Sequence, residues 1–305
     1  MNTPTLSVVI CTHNPRTDYF GRTLEALRQQ TLPREKWELL VIDNRSEPPV
    51  SERFDFTWHP GARVVREEKL GLTPARLTGI REARGDLLVF VDDDNLLAPD
   101  YLETTLRIAG ERPYLGSWSG QCRAEFEKTP PEWTRRYWGN LVIREFSEDK
   151  WSNLPRLGET MPCGAGLCVR REVARHYLHL HDAGQRTFQF DRTGGSLLSG
   201  GDNDLAACAC DIGLGQGIVA SLNLTHLIPS ERLSKDYLTR LAEGIYFSAV
   251  ILAHLRSSEA ELASYRVRMR ERLRCLLLRS PHRDVQLAAL RGRERGLRYL
   301  ASITR

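Results

Sequence analysis

No apolar run in the 305 residues approaches the roughly 18 that a membrane-crossing helix needs, so no spanning segment is predicted. The opening Met1-Asn-Thr-Pro-Thr-Leu6 has neither a basic n-region nor a long apolar h-region, which predicts no secretory signal. Cysteine is sparse and odd in number. Its seven residues are scattered through apolar segments such as Val8–Cys11, a pattern that suits a reducing cytosol. Only Cys163/Cys168 and Cys208/Cys210 lie close in sequence, and neither has the partner pair of a zinc site. No internal repeat and no nucleic-acid-binding motif accompany the charge. These absences argue against a disulfide scaffold, a zinc module, a solenoid and a nucleic-acid binder. The expectation is a cytoplasmic protein, free or held peripherally at the inner face of the membrane.

What is present is an ordinary globular composition, 41% hydrophobic and 27% charged. The length allows one large α/β domain or a domain with an extension. The net charge of +4 hides an asymmetry. Residues 266–305 hold twelve Arg against Glu271, Asp284 and Glu294, a balance of +9, which leaves −5 for the rest. A basic tail follows a mildly acidic body.

Strand and helix alternate through the first hundred residues. Ser7–Cys11, Trp37–Asp43, Arg63–Glu67 and Leu87–Asp92 read as strands, and Tyr19–Gln30 has helical spacing. Thr73-Pro74 reads as a helix start, with Thr as N-cap and Pro at the first helical position, running to Ala83 before Gly85. Pro99 opens another helix. The alternation predicts a doubly wound, mostly parallel sheet with flanking helices. From Tyr114 to Leu157 it breaks into mixed sheet and loops, with Trp118, Trp133, Trp138 and Trp151 clustered there. Beyond lie a predicted strand at Met161–Arg170, a helix from Arg171 to about His181, a loop at Gly194–Gly201, a helix at Asn203–Ile212 and a strand at Gly217–Leu227. After Pro229 the chain reads as helical: Ser234–Leu255, Glu259–Arg279 and a broken piece Val285–Ile303. The predicted domains are 1–230 and a basic helical extension, 231–305.

The densest signal is Leu87-Leu-Val-Phe-Val-Asp-Asp-Asp-Asn95. Five apolar residues without alternation predict a strand buried on both faces. Three carboxylates follow at its C-terminal end, where open α/β sheets bind ligands. Clustered acids repel one another unless a positive charge joins them, and a divalent cation bridging a phosphate would do so. The alternative is a solvated acidic turn.

Several segments in order carry a resemblance: Val8–Asn14, Val41-Ile-Asp-Asn-Arg-Ser46, Gly71-Leu-Thr-Pro-Ala-Arg76 with Gly79, Val89–Asp94, Cys163-Gly-Ala-Gly166 with Arg170, Gly200-Gly-Asp-Asn-Asp-Leu205, and His226-Leu-Ile-Pro229 with Arg232. Over residues 5–235 the chain resembles the family 2 glycosyltransferases of the GT-A fold. The resemblance implies a Rossmann-like nucleotide-binding sheet and transfer of a sugar from a nucleoside-diphosphate donor (UDP-, dTDP- or GDP-linked). The acceptor would be a hydroxyl of a saccharide, lipid-linked or other glycoconjugate acceptor in polysaccharide or glycan assembly. It implies a nucleotide loop at Cys11, Thr12 and His13, a base contact from Asp43, and a diphosphate-lining helix carrying Arg76. Asp92 and Asp93 would meet the donor, and Asp94 would bind Mn²⁺ or Mg²⁺. Gly164, Ala165 and Gly166 would line the sugar and acceptor cleft, and Asp202 would be the catalytic base. Three residues depart from the family pattern. Gly201 stands where relatives usually have Glu, Leu77 where Asn commonly follows the helix Arg, and His13 where Tyr is frequent.

Each candidate has a plainer reading. Asp202 could only cap the following helix, and Asp204 and Asp191 are rival bases. Asp43 could be a turn-forming Asp. Arg76 could face solvent rather than a phosphate. His226 could ligate the metal, contact the diphosphate as Arg232 would, or be a satisfied core histidine. The tryptophans could stack on sugar rings or be core, and Trp133 is the acceptor-side candidate. In Tyr265–Leu278, Arg recurs at every second position, which spreads charge around a helix. The tail is then a membrane- or partner-binding segment, or a solvated extension packed on the domain or on a second subunit. A single base with one in-line displacement implies inversion. A sugar nucleotidyltransferase would want an early Gly-rich segment where Thr12-His-Asn-Pro15 stands. A non-catalytic nucleotide-sugar-binding scaffold stays open because of Gly201.

Overall fold

The computed structural model describes residues 4–155, 158–190, 197–256, 259–264, 266–267 and 269–303. Strand and helix alternate at first: β1 (Leu6–Thr12), α1 (Thr17–Arg28), β2 (Trp37–Asp43), the one-turn α2 (Val50–Arg53), β3 (Ala62–Arg66), α3 (Leu72–Glu82) and β4 (Leu87–Val91). Next come β5 (Asn95–Leu97), α4 (Tyr101–Glu111), the long β6 (Leu115–Phe126), a 3₁₀ segment at Glu132–Leu141, β7 (Lys150–Ser152) and β8 (Leu167–Arg170). Then follow α5 (Arg171–Asp182), α6 (Gly201–Asp211) and β9 (Gly215–Ile228). The last described elements are α7 (Lys235–Leu255), α8 (Glu259–Ser264), α9 (Met269–Leu276) and α10 (His282–Ile303).

The strands form one sheet in the order β3-β2-β1-β4-β8-β6-β9-β5, with β7 on β9. From β3 to β4 neighbours are parallel. β8 is antiparallel to β4 and β6, and β5 and β7 are antiparallel to β9. The parallel half is the doubly wound part predicted from strand–helix alternation. The antiparallel part includes the stretch after Tyr114, where that alternation fails.

β2 and β4 are buried along their whole length. Alternate residues feed two cores, as the period-2 geometry of a strand requires. Leu87, Val89 and Val91 pack on one face with Phe20, Leu24 and Leu27 of α1. Leu88 and Phe90 pack on the other with Ala75, Ile80, Tyr177 and Leu205 of α3, α5 and α6. Burying each such side chain contributes about 1.5–3 kcal/mol, so slipping β4 by one residue would invert its whole apolar set.

The chain divides into two compact units, discontinuous in sequence: residues 1–125, 142–185 and 202–227, and residues 126–141, 186–201 and 228–305. In the second, α7 and α10 pack together. α10 buries Val285, Ala288, Ala289, Gly292, Gly296 and Leu300, the three-to-four spacing of one helix stripe. Its glycines permit close approach. A Cβ on Gly292 would lie 2.2 Å from the Glu243 carbonyl oxygen, and one on Gly296 would lie 2.8 Å from Val250 Cβ. α7 is long and apolar enough to cross a membrane by composition, with mean hydropathy 1.2. Leu238, Leu241, Phe247, Val250 and Ile251 are nevertheless buried, as in a core helix.

Four sequence expectations change. α3 starts at Leu72 with Gly71 as its N-cap at φ 135°, not at Thr73. The predicted strand Met161–Arg170 is a strand only from Leu167, because Gly166 at φ +67° turns the chain just before it. The helix predicted over Glu259–Arg279 is two pieces, α8 and α9, whereas the last helix is unbroken and begins earlier, at His282. Asp191, Leu157, Tyr265, Arg268 and part of the Gly194–Gly201 loop lie outside the described residues.

Candidate active site

The site is built at the C-terminal ends of β1, β2 and β4. Register aligns Thr12 with Asp43 and Ile10 with Val91, so Cys11, Thr12, Asp43 and Asp92 reach one sheet edge together. The two-face alternation continues past the last strand residues. Cys11 packs beside the α3/α5/α6 core. It is charge-coupled to Arg76 and Asp92, and its thiol is pushed up to about 12 by burial, with Arg76 opposing and Asp92 adding. Cys11 is therefore a neutral wall. Asp93 turns to the other side, where its carboxylate accepts a short hydrogen bond from the Thr12 hydroxyl and its carbonyl accepts one from Thr23 Oγ1 at 3.1 Å.

Asp94 comes to His226 through β-sheet register. β5 and β9 pair Asn95 with His226, and Leu227 N–H donates to the Asp94 carbonyl at 2.9 Å. The imidazole Nε2 lies 3.3 Å from Asp94 Oδ2, with both side chains under a tenth exposed. Asp92 is held above the usual carboxylate range by burial first and then by the Asp94 charge, while Arg76 and His226 pull the other way. The Asp94 carboxylate and the His226 imidazole, with Asp92 coupled to both by charge, are donors of the chemical kinds that Mg²⁺ or Mn²⁺ accepts. Among the described residues no group of three His, Cys, Asp or Glu side chains is placed to hold a metal ion by itself. A cation held here would draw its remaining ligands from water and phosphate oxygens, as Mg²⁺ commonly does.

Asp202 stands in the first turn of α6, and its Oδ2 accepts the Gly164 backbone N–H at 2.7 Å. Among the described residues Oδ1 makes no hydrogen bond. Gly164 is required where it is. A Cβ there would lie 2.8 Å from Asp202 Oδ2 and 3.2 Å from Arg76 Nη2. Arg76 is 6% exposed, so it does not face solvent. Burial pulls its pKa down, but the Asp202 and Asp92 carboxylates outweigh burial and raise it. Asp202, Arg76, Asp92, Gly164 and Cys11 therefore form one electrostatic cluster. Gly166 is closed in by Tyr101, whose hydroxyl donates to the Gly166 carbonyl at 2.7 Å, and Ala165 beside it is buried.

Other candidates have structural duties. Asp43 accepts from Ser46 N at 2.8 Å, Val50 N at 3.2 Å and Arg66 Nη1 at 3.2 Å, so it shapes the turn after β2. His13 Nδ1 sits 2.7 Å from the Asn44 carbonyl. Arg170 donates to the carbonyls of Leu115, Ala109 and Arg112 and ties strands to helix. Leu77, where a polar residue was expected, packs on the α3/α5/α6 core. Trp133 and Arg232 belong to the second unit, where Trp133 packs on Tyr137 and His282.

Two residues that sequence reasoning passed over hold the site's loops. The buried Asn44 amide donates to the carbonyls of Glu67 and Lys69 and accepts from Gly71 N at 2.8 Å, which fixes where α3 begins. A polar residue just past a buried strand was the available signal. Arg144 donates to the Met161 carbonyl at 2.9 Å and to Ser119 Oγ, and Ser119 Oγ accepts from Cys163 N. Nothing in the sequence around Arg144 marks that role.

Residues 7–178 match Glycosyl transferase family 2. The chain belongs to that family. It is 33% identical over 94 residues to glycosyltransferase AglE of Haloferax volcanii, which covers 30% of this chain and 31% of that protein. It is 31% identical over 212 residues to the inactive polypeptide N-acetylgalactosaminyltransferase-like protein 5 of Macaca fascicularis, covering 64% and 46% of the two chains. The chain spans between 31% and 46% of the length of these curated relatives. Its fold is shared with the mannosyltransferase PcManGT from Pyrobaculum calidifontis, solved with GDP-Man and Mn²⁺. The TM-score is 0.60 at 19% identity, over 97% of this chain and 88% of that one. This family 2 chain thus has a GT-A-type α/β sheet followed by C-terminal helices.

Proposed function

We propose that the chain is an inverting, metal-dependent glycosyltransferase that moves a sugar from a nucleoside-diphosphate donor to a hydroxyl of a saccharide or glycoconjugate acceptor. The observation that carries this reading is Asp202, anchored through one oxygen to the Gly164 N–H with Arg76 beside it. The anchored oxygen orients the carboxylate. The other accepts the acceptor hydroxyl proton. The acceptor oxygen then bonds to the anomeric carbon as the bond to the diphosphate breaks, and the diphosphate departs with the electron pair. One displacement inverts the anomeric centre. A base so placed contributes about 10²–10⁴ in rate.

Arg76 draws the diphosphate by charge and supports its departure. Asp92, Asp94 and His226 are the residues that would hold Mn²⁺ or Mg²⁺, and such an ion supplies neutralisation of the leaving diphosphate. The Mn²⁺ solved with PcManGT supports that cofactor choice. Cys11, Thr12 and His13 form the nucleotide wall, with Asp43 positioning the loop that meets the base. Ala165 and Gly166 line the sugar side. Residues 1–230 carry the transfer reaction and 231–305 are the extension.

A second reading, a nucleotide-sugar-binding protein without turnover, is favoured by Gly201 in place of the usual Glu and by the likeness to a relative named inactive. One experiment separates the two. Wild type and Asp202→Asn are assayed against UDP-, GDP- and dTDP-sugars with Mn²⁺, and the product's anomeric configuration is read by NMR. An inverted product, with turnover lost and donor binding kept in the variant, supports transfer. A retained configuration, or equal turnover in both proteins, sinks this mechanism.

A further inference from the structure

We infer that the outer face of α9 docks on the surface of an anionic lipid bilayer. Met269, Leu273 and Leu276 recur at helical spacing and Leu277 continues the row. They are 72%, 56%, 61% and 86% exposed, among the most open large apolar side chains of the described chain. At about 100° per residue they cover an arc of roughly 100°, the width of an amphipathic face.

The opposite arc is inward. Cys275 is buried, Glu271 lies 3.4 Å from Arg293, and Arg272 pairs with Glu294 of α10. Arg293 also donates to the carbonyls of Ser264 and Arg266. α9 is thus held on α10 by its inner side, and the leucine row points away from that anchor.

Charge decides what covers the row. By helical position, Arg270 and Arg274 lie along one border and Arg272 along the other. Arg270 and Arg274 have no acidic partner among the described residues. Sequence reasoning spread these arginines evenly around the helix, but only the flanks of the apolar row are open to them. An apolar row bordered on one side by Arg270 and Arg274, and on the other by Arg272 in its pair with Glu294, matches the acyl–headgroup boundary. Apolar side chains enter the lipid there, and long basic ones reach phosphates. Four side chains are too few to supply the about 800 Å² per partner that a stable protein interface buries. Each arginine near an anionic surface adds about fivefold in affinity.

The test is flotation of the full chain with vesicles of phosphatidylcholine alone or mixed with phosphatidylglycerol. Two variants accompany it, Arg270→Glu/Arg274→Glu and Leu273→Ser/Leu276→Ser/Leu277→Ser, whose melting temperatures stay near wild type because every changed side chain is exposed. Wild type is expected to float with the mixed vesicles and not with neutral ones. The charge variant should lose at least about 25-fold in affinity, and the leucine variant should lose binding altogether. Absence of flotation overturns the inference. So does equal binding to both vesicle types, binding unchanged in the leucine variant, or a dimer in sedimentation that the leucine variant abolishes.

Discussion

The two compact units treat charge in opposite ways. In the first, Asp92, Asp94, Arg76 and His226 are gathered at the buried end of β4, and the carboxylate Asp92 is perturbed by its neighbours. In the second, the interior between α7 and α10 is apolar and glycine-spaced, while the arginines of α9 and α10 lie mostly on the outside. Burying like charges is destabilising unless a counter-charge joins them. At the end of β4 the Arg76 guanidinium supplies part of that counter-charge. Surface arginines cost little and contribute little until an anionic partner arrives. The difference separates a region with a buried cluster of mixed charge from one with an apolar interior and a charged exterior.

The comparison breaks first at Asp202. Asp202→Asn keeps the shape and the Gly164 contact but removes the proton acceptor, so turnover should fall about 10²–10⁴-fold with melting temperature nearly unchanged. Steady-state kinetics beside a thermal melt checks both halves. Gly292→Val acts on the other region. Its new side chain meets the Glu243 carbonyl, and overpacking of this kind costs about 3 kcal/mol, read as a lower urea midpoint.

Asn44→Ala sharpens the contrast within the first unit. It strands the Gly71 N–H and two carbonyls, for a loss of about 2 kcal/mol, and it loosens the start of α3. Hydrogen exchange at residues 71–76 should rise more than at β1. The smallest effect is expected at the surface. A double-mutant cycle on Arg22 and Glu125, a bidentate but half-exposed pair, should give a coupling below about 1 kcal/mol.

Legibility followed the same divide. The strand could be read because an uninterrupted apolar run has few structural meanings, and Leu87–Val91 forms the fully buried strand expected. Resemblance singles out Asp202, and its contact with Gly164, 38 residues away, could not be read from the sequence. What failed depends on distant residues. Thr73-Pro74 has good local capping chemistry, yet Asn44 captures the Gly71 N–H and moves the helix start. The last helix reads as broken in the sequence, and Gly292 and Gly296 within it do disfavour helix locally. It is continuous because α7 packs against those same glycines. The division of the arginines on α9 could not be read without knowing that Glu271 and Cys275 face inward.

The most direct test of the central claim is a thermal-shift titration of wild type and Asp94→Ala with UDP, GDP and dTDP, each with and without Mn²⁺. The account predicts that one nucleotide raises the wild-type melting temperature by mass action only when Mn²⁺ is present, and that Asp94→Ala abolishes the shift. A shift that is the same without Mn²⁺, or that survives in Asp94→Ala, or no shift with any nucleotide, would contradict it.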